Sequence, residues 1–596
     1  MLDFSLPARY QVPSGGNLSD LVHQNAADHA QVAVLSRKLD GHWQDVTAAA
    51  FLAEVHRAAK GLIASGVQPG DRVGVMSRTR YEWTLLDFAI WSAGAITVPV
   101  YETSSAEQVQ WILGDSGAVA VVTETDSHAA VVESVRDRLP ELRHSWQIER
   151  GGIAELNTAG AEVSDATVTE RRSIPTPDTI ATIVYTSGTT GRPKGCQLTH
   201  GNFMAELGNV TARMPELFRT GESSVLLFLP LAHVLGRIAE IAAAIAPIKL
   251  GHVSDIKDVT AELATFRPTL ILGVPRVFEK VYNTARAKAQ ADGKGKIFDQ
   301  AADVAIAYSR AQELGGPGLL LRLKHAVFDK LVYSKLRAAL GGRATHAISG
   351  GAPLGERLGH FYRGIGFTVL EGYGLTETCA ATAFNPDDKP KIGTVGQPLP
   401  GSAVRIAEDG EVLLKGPQIF TGYWNNPAAT EEALRDGWFA TGDLGSLDED
   451  GYLTITGRKK EIIVTAGGKN VAPAVIEDRI RAHPLIGEVM VVGDRKPFIG
   501  CLVTIDQEFL PRWLELNGRG PATPAELLQD PALLAAVQEA VDEGNKAVSH
   551  AEAVKKFRIL DTEFSEANGY LTPSLKLKRN VVLKDFAGEI EALYQR

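Results

Sequence analysis

TIATIVYTSGTTGRPKGCQLTHGNFMAEL, residues 179–207, passes from a β-branched apolar run through a serine-, threonine- and glycine-rich segment into helical spacing. TIATIVYTSG (179–188) reads as a buried strand entering a loop, and LTHGNFMAEL (198–207) as a helix. A loop after a strand end is where open α/β sheets bind ligands. Hydroxyl and backbone N–H donors, little side-chain bulk and one lysine, Lys194, suit an anion, most simply a nucleotide phosphate. The segment is not a Walker A loop, G-x-x-x-x-G-K-[ST], because Pro193 precedes Lys194 and Gly195 follows it.

The flanking chain extends the same pattern. VAVLSRKLDGHWQDVT (32–47) predicts a hairpin turning at Asp40-Gly41. Between about 50 and 125, short apolar strands alternate with amphipathic helices, which implies a parallel sheet covered by helices. VLLFLPLAHVLG (225–236), PTLILGVP (268–275) and ATHAISGGAPLG (344–355) read as further strand-to-loop transitions. Residues 280–343 read as long helices broken at ADGKG and LGGPG, with 12 Lys+Arg against 5 Asp+Glu. The preferred reading of that +7 is a solvated helical surface; the other is a docking surface for anionic lipid or a large cofactor's phosphates. From 400 to 456 short strands, FTGYWN among them, suggest a small β-barrel-like subdomain with TGDLG (441–445) as a turn. After GRKKE (457–461) a compact α+β unit follows. The expected fold class is therefore α/β, divided into a large domain (1–457) of helix-flanked sheets and a small C-terminal domain (458–596).

At 596 residues the chain is too long for one core. A net charge of −10 argues against nucleic acid as a partner. Cys196, Cys379 and Cys501 form no C-x-x-C pair, so neither a disulfide framework nor structural zinc is expected. The N-terminus lacks signal-peptide layout and no apolar run is long enough to span a bilayer. The expected location is cytoplasmic, with peripheral contact at the inner membrane face and oligomer formation left open.

Four separated segments look as if they serve one site: TSGTTGRPKG (186–195), EGYGLTET (371–378), TGDLG (441–445) and SLKLKR (574–579). In this order, with GRKKE, they resemble the adenylate-forming superfamily of AMP-binding acyl-CoA synthetases, over nearly the whole chain. FLPLAHV (228–234), GVPRVFEKVY (273–282), the helical insertion and LTPSLKLKRNVV (571–582) are similar to bacterial long-chain fatty-acid–CoA ligases.

That resemblance implies a two-step reaction: a fatty carboxylate attacks the α-phosphate of ATP, giving acyl-AMP and expelling pyrophosphate, and the thiol of coenzyme A then attacks the acyl carbonyl and displaces AMP. It implies that Thr186, Ser187, Gly188, Thr189, Thr190 and Gly191 embrace the β- and γ-phosphates, assisted by Lys194. Mg²⁺ is expected beside Glu377 and Thr186, both oxygen ligands. Adenine is expected on Tyr373, facing Gly351, Ala352 and Pro353, with Glu371, Gly372, Gly374 and Thr376 in the same nucleotide pocket. Asp443 matches the ribose-binding aspartate, and Arg458 an arginine that also reaches the nucleotide. Lys576 matches the catalytic lysine of a mobile C-terminal domain, with Lys578 a competitor; the family commonly has glycine where Leu575 stands. Lys460 matches the hinge, Gly467 and Gly468 would face coenzyme A, and His233 would stand at the acyl-pocket entrance. CAATA (379–383) fits either an alkyl tunnel or tight helix packing.

The alternatives are an acyl-AMP ligase serving a carrier protein and a catalytically inactive nucleotide- and lipid-binding scaffold. Lys194, Glu377, Asp443, Arg458 and Lys576 are all present, which disfavours the scaffold.

Overall fold

The computed structural model describes residues 2–186, 192–572 and 575–595. Asp40 and Gly41 both take positive φ (51° and 79°), as the predicted two-residue turn between Ala33–Leu39 and His42–Thr47 requires. Strands Arg72–Met76, Ile96–Val100 and Ala118–Thr123 lie parallel. Their faces are sorted by alternation: Val73, Val75, Ala120 and Val122 enter one core, Met76 and Val121 another. The helix Tyr81–Ser92 is buried at every position but Glu82, which explains why its apolar residues run all round it.

Two larger sheets share this design. One orders Gly422–Tyr423, Lys194–Thr199, Ile180–Thr186, Ile96–Val100, Arg72–Met76, Ala118–Thr123 and His144–Gln147. In the other, parallel strands Ser224–Leu227, Leu270–Gly273, His346–Ser349 and Thr368–Tyr373 lie side by side. A third, six-stranded sheet carries Ala403–Ile406, Glu411–Lys415 and Trp438–Leu447.

Three local expectations need correction. Lys194–Thr199 is a strand antiparallel to Ile180–Thr186, so the glycine-rich loop joins a hairpin rather than a strand to a helix. Gly195 makes the pairing sterically open, since a Cβ there would lie 2.7 Å from Ile183 Cγ2. Asp443 sits in a strand, directly paired with Arg458, instead of in a turn. Gly422–Tyr423 pairs with Lys194–Thr199 and so leaves the β-rich subdomain. The β-rich subdomain is otherwise as expected, and its six-stranded sheet recruits Leu2–Ser5 as an edge strand beside Ala403–Ile406.

One continuous core involves residues from Leu18 to Leu453. A second begins at Ile463, on one face of the sheet Ile486–Val492, Ile499–Ile505 and Val554–Ile559. Val489 and Val491 point into it, whereas Met490 and Val492 pack under the last helices. The two units touch through Arg276–Asp506 (2.7 Å), Lys280–Glu508 (2.5 Å) and the Thr103 hydroxyl, which donates to Glu566. All three cysteines are free and buried. Among the described residues no helix is long and apolar enough to cross a membrane.

Candidate active site

A cleft of 3710 Å³ lies between the two units and continues as an apolar tunnel into the larger one. The loop after His346–Ser349 and the end of Thr368–Tyr373 emerge together because those strands are parallel neighbours, with Ser349 opposite Glu371. Gly351, at φ 85°, Ala352 and Pro353 line one wall, and Gly372, Tyr373, Gly374 and Thr376 the facing one. Glu371 is not a lining residue. Its Oε1 accepts the Leu354 amide at 2.8 Å and fastens the 350–353 loop to the next strand.

Burial pushes the Glu371 carboxyl up to about 7, with the Leu354 amide opposing. A carboxyl raised on folding stabilises the protein fully at low pH, and that contribution disappears as pH rises through its folded value. Glu371→Gln keeps the acceptor and removes the titration. Its melting temperature should therefore gain on the parent's between about pH 5 and pH 8, by a stability difference of up to roughly 3 kcal/mol. Melting curves at matched pH test this, and parallel profiles would refute it.

Asp443 receives Tyr373 and Arg458 from two other segments. The Tyr373 hydroxyl donates to Oδ2 at 2.6 Å, and Arg458 Nε lies 3.2 Å from Oδ1. Glu377 projects from the turn Thr376–Thr378, whose backbone is tied down by the Phe420 amide bonding to the Glu377 carbonyl at 2.8 Å. Its carboxylate accepts the Tyr423 hydroxyl at 2.7 Å, and Lys194 Nζ stands 5.0 Å from the Tyr423 ring centre. Thr186 lines the same cleft. Ser187, Gly188, Thr189, Thr190 and Gly191 lie outside the described residues.

Lys576 is presented by a tight turn in which its amide donates to Thr572 Oγ1 at 3.0 Å and Leu575 takes φ 59°. Its surface is open to the cleft, yet protein crowds it enough to desolvate the ammonium. That, seconded by Arg458, holds it below the usual lysine value, while Asp443, Glu377 and Glu461 pull upward. Lys576 lines the same cleft and lies within electrostatic reach of Arg458, Asp443, Glu377 and Glu461. His233, at the tunnel mouth, caps the helix Val234–Ile245 by accepting the Leu235 amide at 3.1 Å. Burial, then Lys576, depresses its imidazole to about 4, so it is neutral at ordinary pH. Lys578 and Lys460 also line the cleft; Gly467 and Gly468 do not, and stand exposed in the turn before Asn470–Val471.

Behind His233 the tunnel is lined by Leu235, Ile238, Ala239, Leu272, Val277 and Ile306. Ala380 and Ala381 border it, while Cys379 is wholly buried. Cys379 and Ala380 both take positive φ, 57° and 109°, so strain is concentrated between the Tyr373 wall of the cleft and the tunnel. The Ala381 amide is accepted by buried Glu206, whose carboxyl desolvation pushes well above the usual carboxylate range, with that amide opposing.

Tyr423 and Glu206 escaped the sequence reading. Tyr423 stands amid FTGYWN with nothing local to link it to Glu377, and Glu206 shows only as one more polar residue on a helix that also carries Asn202 and Asn209.

A model of the AMP-binding enzyme family matches residues 22–424, and one of the AMP-binding enzyme C-terminal domain matches 460–596. The chain is 54% identical to the long-chain-fatty-acid–CoA ligase FadD15 of Mycobacterium tuberculosis, with both covered completely. It is 30% identical to the long-chain-fatty-acid–CoA ligase ACSBG2 of Xenopus laevis, over 97% of this chain and 84% of that protein. ATP-bound MatB from Rhodopseudomonas palustris superposes with a TM-score of 0.69 at 25% identity, covering 96% of this chain and 99% of that one. A convergent nucleotide-type cleft, an apolar tunnel and full-length similarity lead to one conclusion: the chain belongs to the AMP-binding enzyme family.

Proposed function

We propose that the protein is an AMP-forming ligase of fatty acid metabolism that converts a long-chain fatty acid to acyl-AMP and then to acyl-CoA. The observation that carries this reading is that Lys576, Asp443, Arg458 and Glu377 line one cleft with His233 and the apolar tunnel. ATP lies along the cleft, with adenine against Tyr373 and the Gly351–Pro353 loop. Its ribose hydroxyls are held by Asp443, and its phosphates by the 186–191 loop and Lys194. The carboxylate of the acyl chain reaches the α-phosphate beside Lys576.

Bringing two anions together is the difficult part of the first step, and fixed positive charge is the remedy. The Lys576 ammonium favours the charge that develops on the phosphoryl oxygens over that of separated substrates, which is differential binding. Glu377 and Thr186 offer a carboxylate and a hydroxyl on one wall, a donor set that suits Mg²⁺ completed by phosphate oxygens and water. Mg²⁺ bound there would neutralise phosphate charge. Tyr423, bonded to Glu377 and stacked under Lys194, holds both groups in place.

The tunnel gives affinity in proportion to chain length, about 0.8 kcal/mol per buried CH₂. The second step requires a different face of the smaller domain. Lys459 is tethered to Asp409 and Glu411, so rotation would pivot at the adjoining Lys460. Gly467 and Gly468, remote from the cleft in this pose, would then swing toward coenzyme A.

Product formation from ATP, Mg²⁺ and acids from octanoate to stearate, with and without coenzyme A, tests the proposal. Acyl-CoA and AMP formed only with coenzyme A, with longer acids preferred, are expected. Acyl-AMP that accumulates indifferently to coenzyme A would replace this reading by that of an adenylate donor to a carrier protein.

A further inference from the structure

The helix Leu319–Phe328 has no buried residue. Its inner edge is nonetheless anchored: His325 stacks on Tyr308 with ring centres 3.9 Å apart and its Nε2 donates to the Gly364 carbonyl at 2.6 Å. The opposite edge carries Leu319, Leu320, Leu323 and Val327, between 57% and 76% exposed, and Leu331 extends the row across the π-turn Asp329–Tyr333 at 54%. Spacings of three and four residues put these side chains on one stripe. Single exposed leucines are ordinary, but a contiguous stripe of five aliphatic side chains on a well-anchored helix marks a contact surface.

Charge identifies the contact. Arg322, Lys324, Lys330 and Lys335 surround the stripe, are exposed, and make no ion pair among the described residues. The single acid between 314 and 343, Asp329, is taken by Arg337 at 2.7 Å. A second copy docked about a two-fold axis would set these unpaired cations against their own equivalents. An anionic bilayer surface offers them phosphates and offers the leucines an acyl boundary. The end of the stripe also borders the cavity, since Leu331 is among its lining residues, with Val332, Lys335 and Leu336.

We infer that the outer face of residues 319–331 seats the protein on an anionic bilayer surface, its aliphatic side chains entering the headgroup boundary and Arg322, Lys324 and Lys330 meeting lipid phosphates. The inference goes beyond the ligase reading and does not depend on it, because binding can be read without catalysis.

The test is sedimentation of the full-length protein with phosphatidylcholine vesicles, with or without phosphatidylglycerol. The parent should bind the mixed vesicles and detach as salt rises. Leu320→Ser with Leu323→Ser and Val327→Ser should lower binding at least tenfold, as should Lys324→Glu with Lys330→Glu. Both should keep the parent's melting temperature and its rate with octanoate, a freely soluble acid. Leu323→Trp supplies a second readout, a blue-shifted emission on adding mixed vesicles. Undiminished binding by the serine variant, equal binding to neutral vesicles, or unshifted Trp emission would each overturn the inference. So would parent dimers in velocity sedimentation that the serine changes dissolve without any vesicle binding, which would assign the stripe to a contact between copies.

Discussion

Lys576→Ala should slow acyl-adenylate formation about 10²- to 10³-fold, the loss typical of removing one preorganised donor from a transition state's developing charge. Thioester formation from supplied acyl-AMP should change by no more than a few-fold, because in that step the thiol attacks the acyl carbonyl and AMP departs, with no bond made or broken at phosphorus and, in the reading above, with another face of the smaller domain in the cleft. The asymmetry follows from where the ammonium sits, within the influence of Arg458, Asp443 and Glu377 and beside His233. Lys578→Ala is the matched control. Lys578 precedes the helix Arg579–Asp585, and its amide bonds to the Tyr570 carbonyl at 2.8 Å. Pyrophosphate release and single-turnover thioester formation measure the half-reactions separately. Equal losses in both would remove Lys576 from the role assigned here, and a larger loss at Lys578 would transfer it.

Asp443→Asn should raise the KM for ATP roughly 10- to 150-fold, since hydrogen bonds to a charged group contribute about 1.5–3 kcal/mol and the ribose hydroxyls would donate theirs to this carboxylate. The substitution preserves volume in a buried position and removes the charge that draws Arg458 Nε to 3.2 Å. Tyr373→Phe separates the two contributions. It keeps the ring that lines the cleft and deletes only the hydroxyl bonded to Asp443 at 2.6 Å, so its effect should stay below about tenfold. Steady-state kinetics in ATP decide the matter; an unchanged KM in the asparagine variant would show that the ribose is held elsewhere.

Much of this arrangement is legible in the amino-acid sequence. Alternating strands and helices around 50–125 announce helix-covered sheets because burial on both faces leaves apolar runs in the chain. The separated segments that supply Gly351, Tyr373, Asp443, Arg458 and Lys576 can be gathered by resemblance, and the fold brings them to one cleft. Pairings between distant segments cannot be read this way. Leu2–Ser5 pairs with residues about 400 positions away, and no local pattern announces such a partner. Lys194–Thr199 is short and includes a glycine, so strand propensity is weak where a hairpin partner decides. Tyr423 is recognisable only once Gly422–Tyr423 is seen against Lys194–Thr199. Leucines at 319–331 look like core in a sequence; only packing reveals that they face outward.

Leu575 at φ 59° has a consequence for how well Lys576 is aimed. Glycine would adopt this geometry without penalty, whereas leucine there costs about 1–2 kcal/mol. Leucine also narrows the unfolded ensemble, which returns about 0.4–1 kcal/mol. The two effects largely offset in stability, but not in the breadth of motion. A glycine turn would let the lysine sample many directions, and averaging over them would dilute its charge at the reacting oxygens. With leucine, position 575 itself has fewer backbone shapes to choose from. The chain thus accepts a slightly less stable fold and receives, at one residue, a pointer with little wobble.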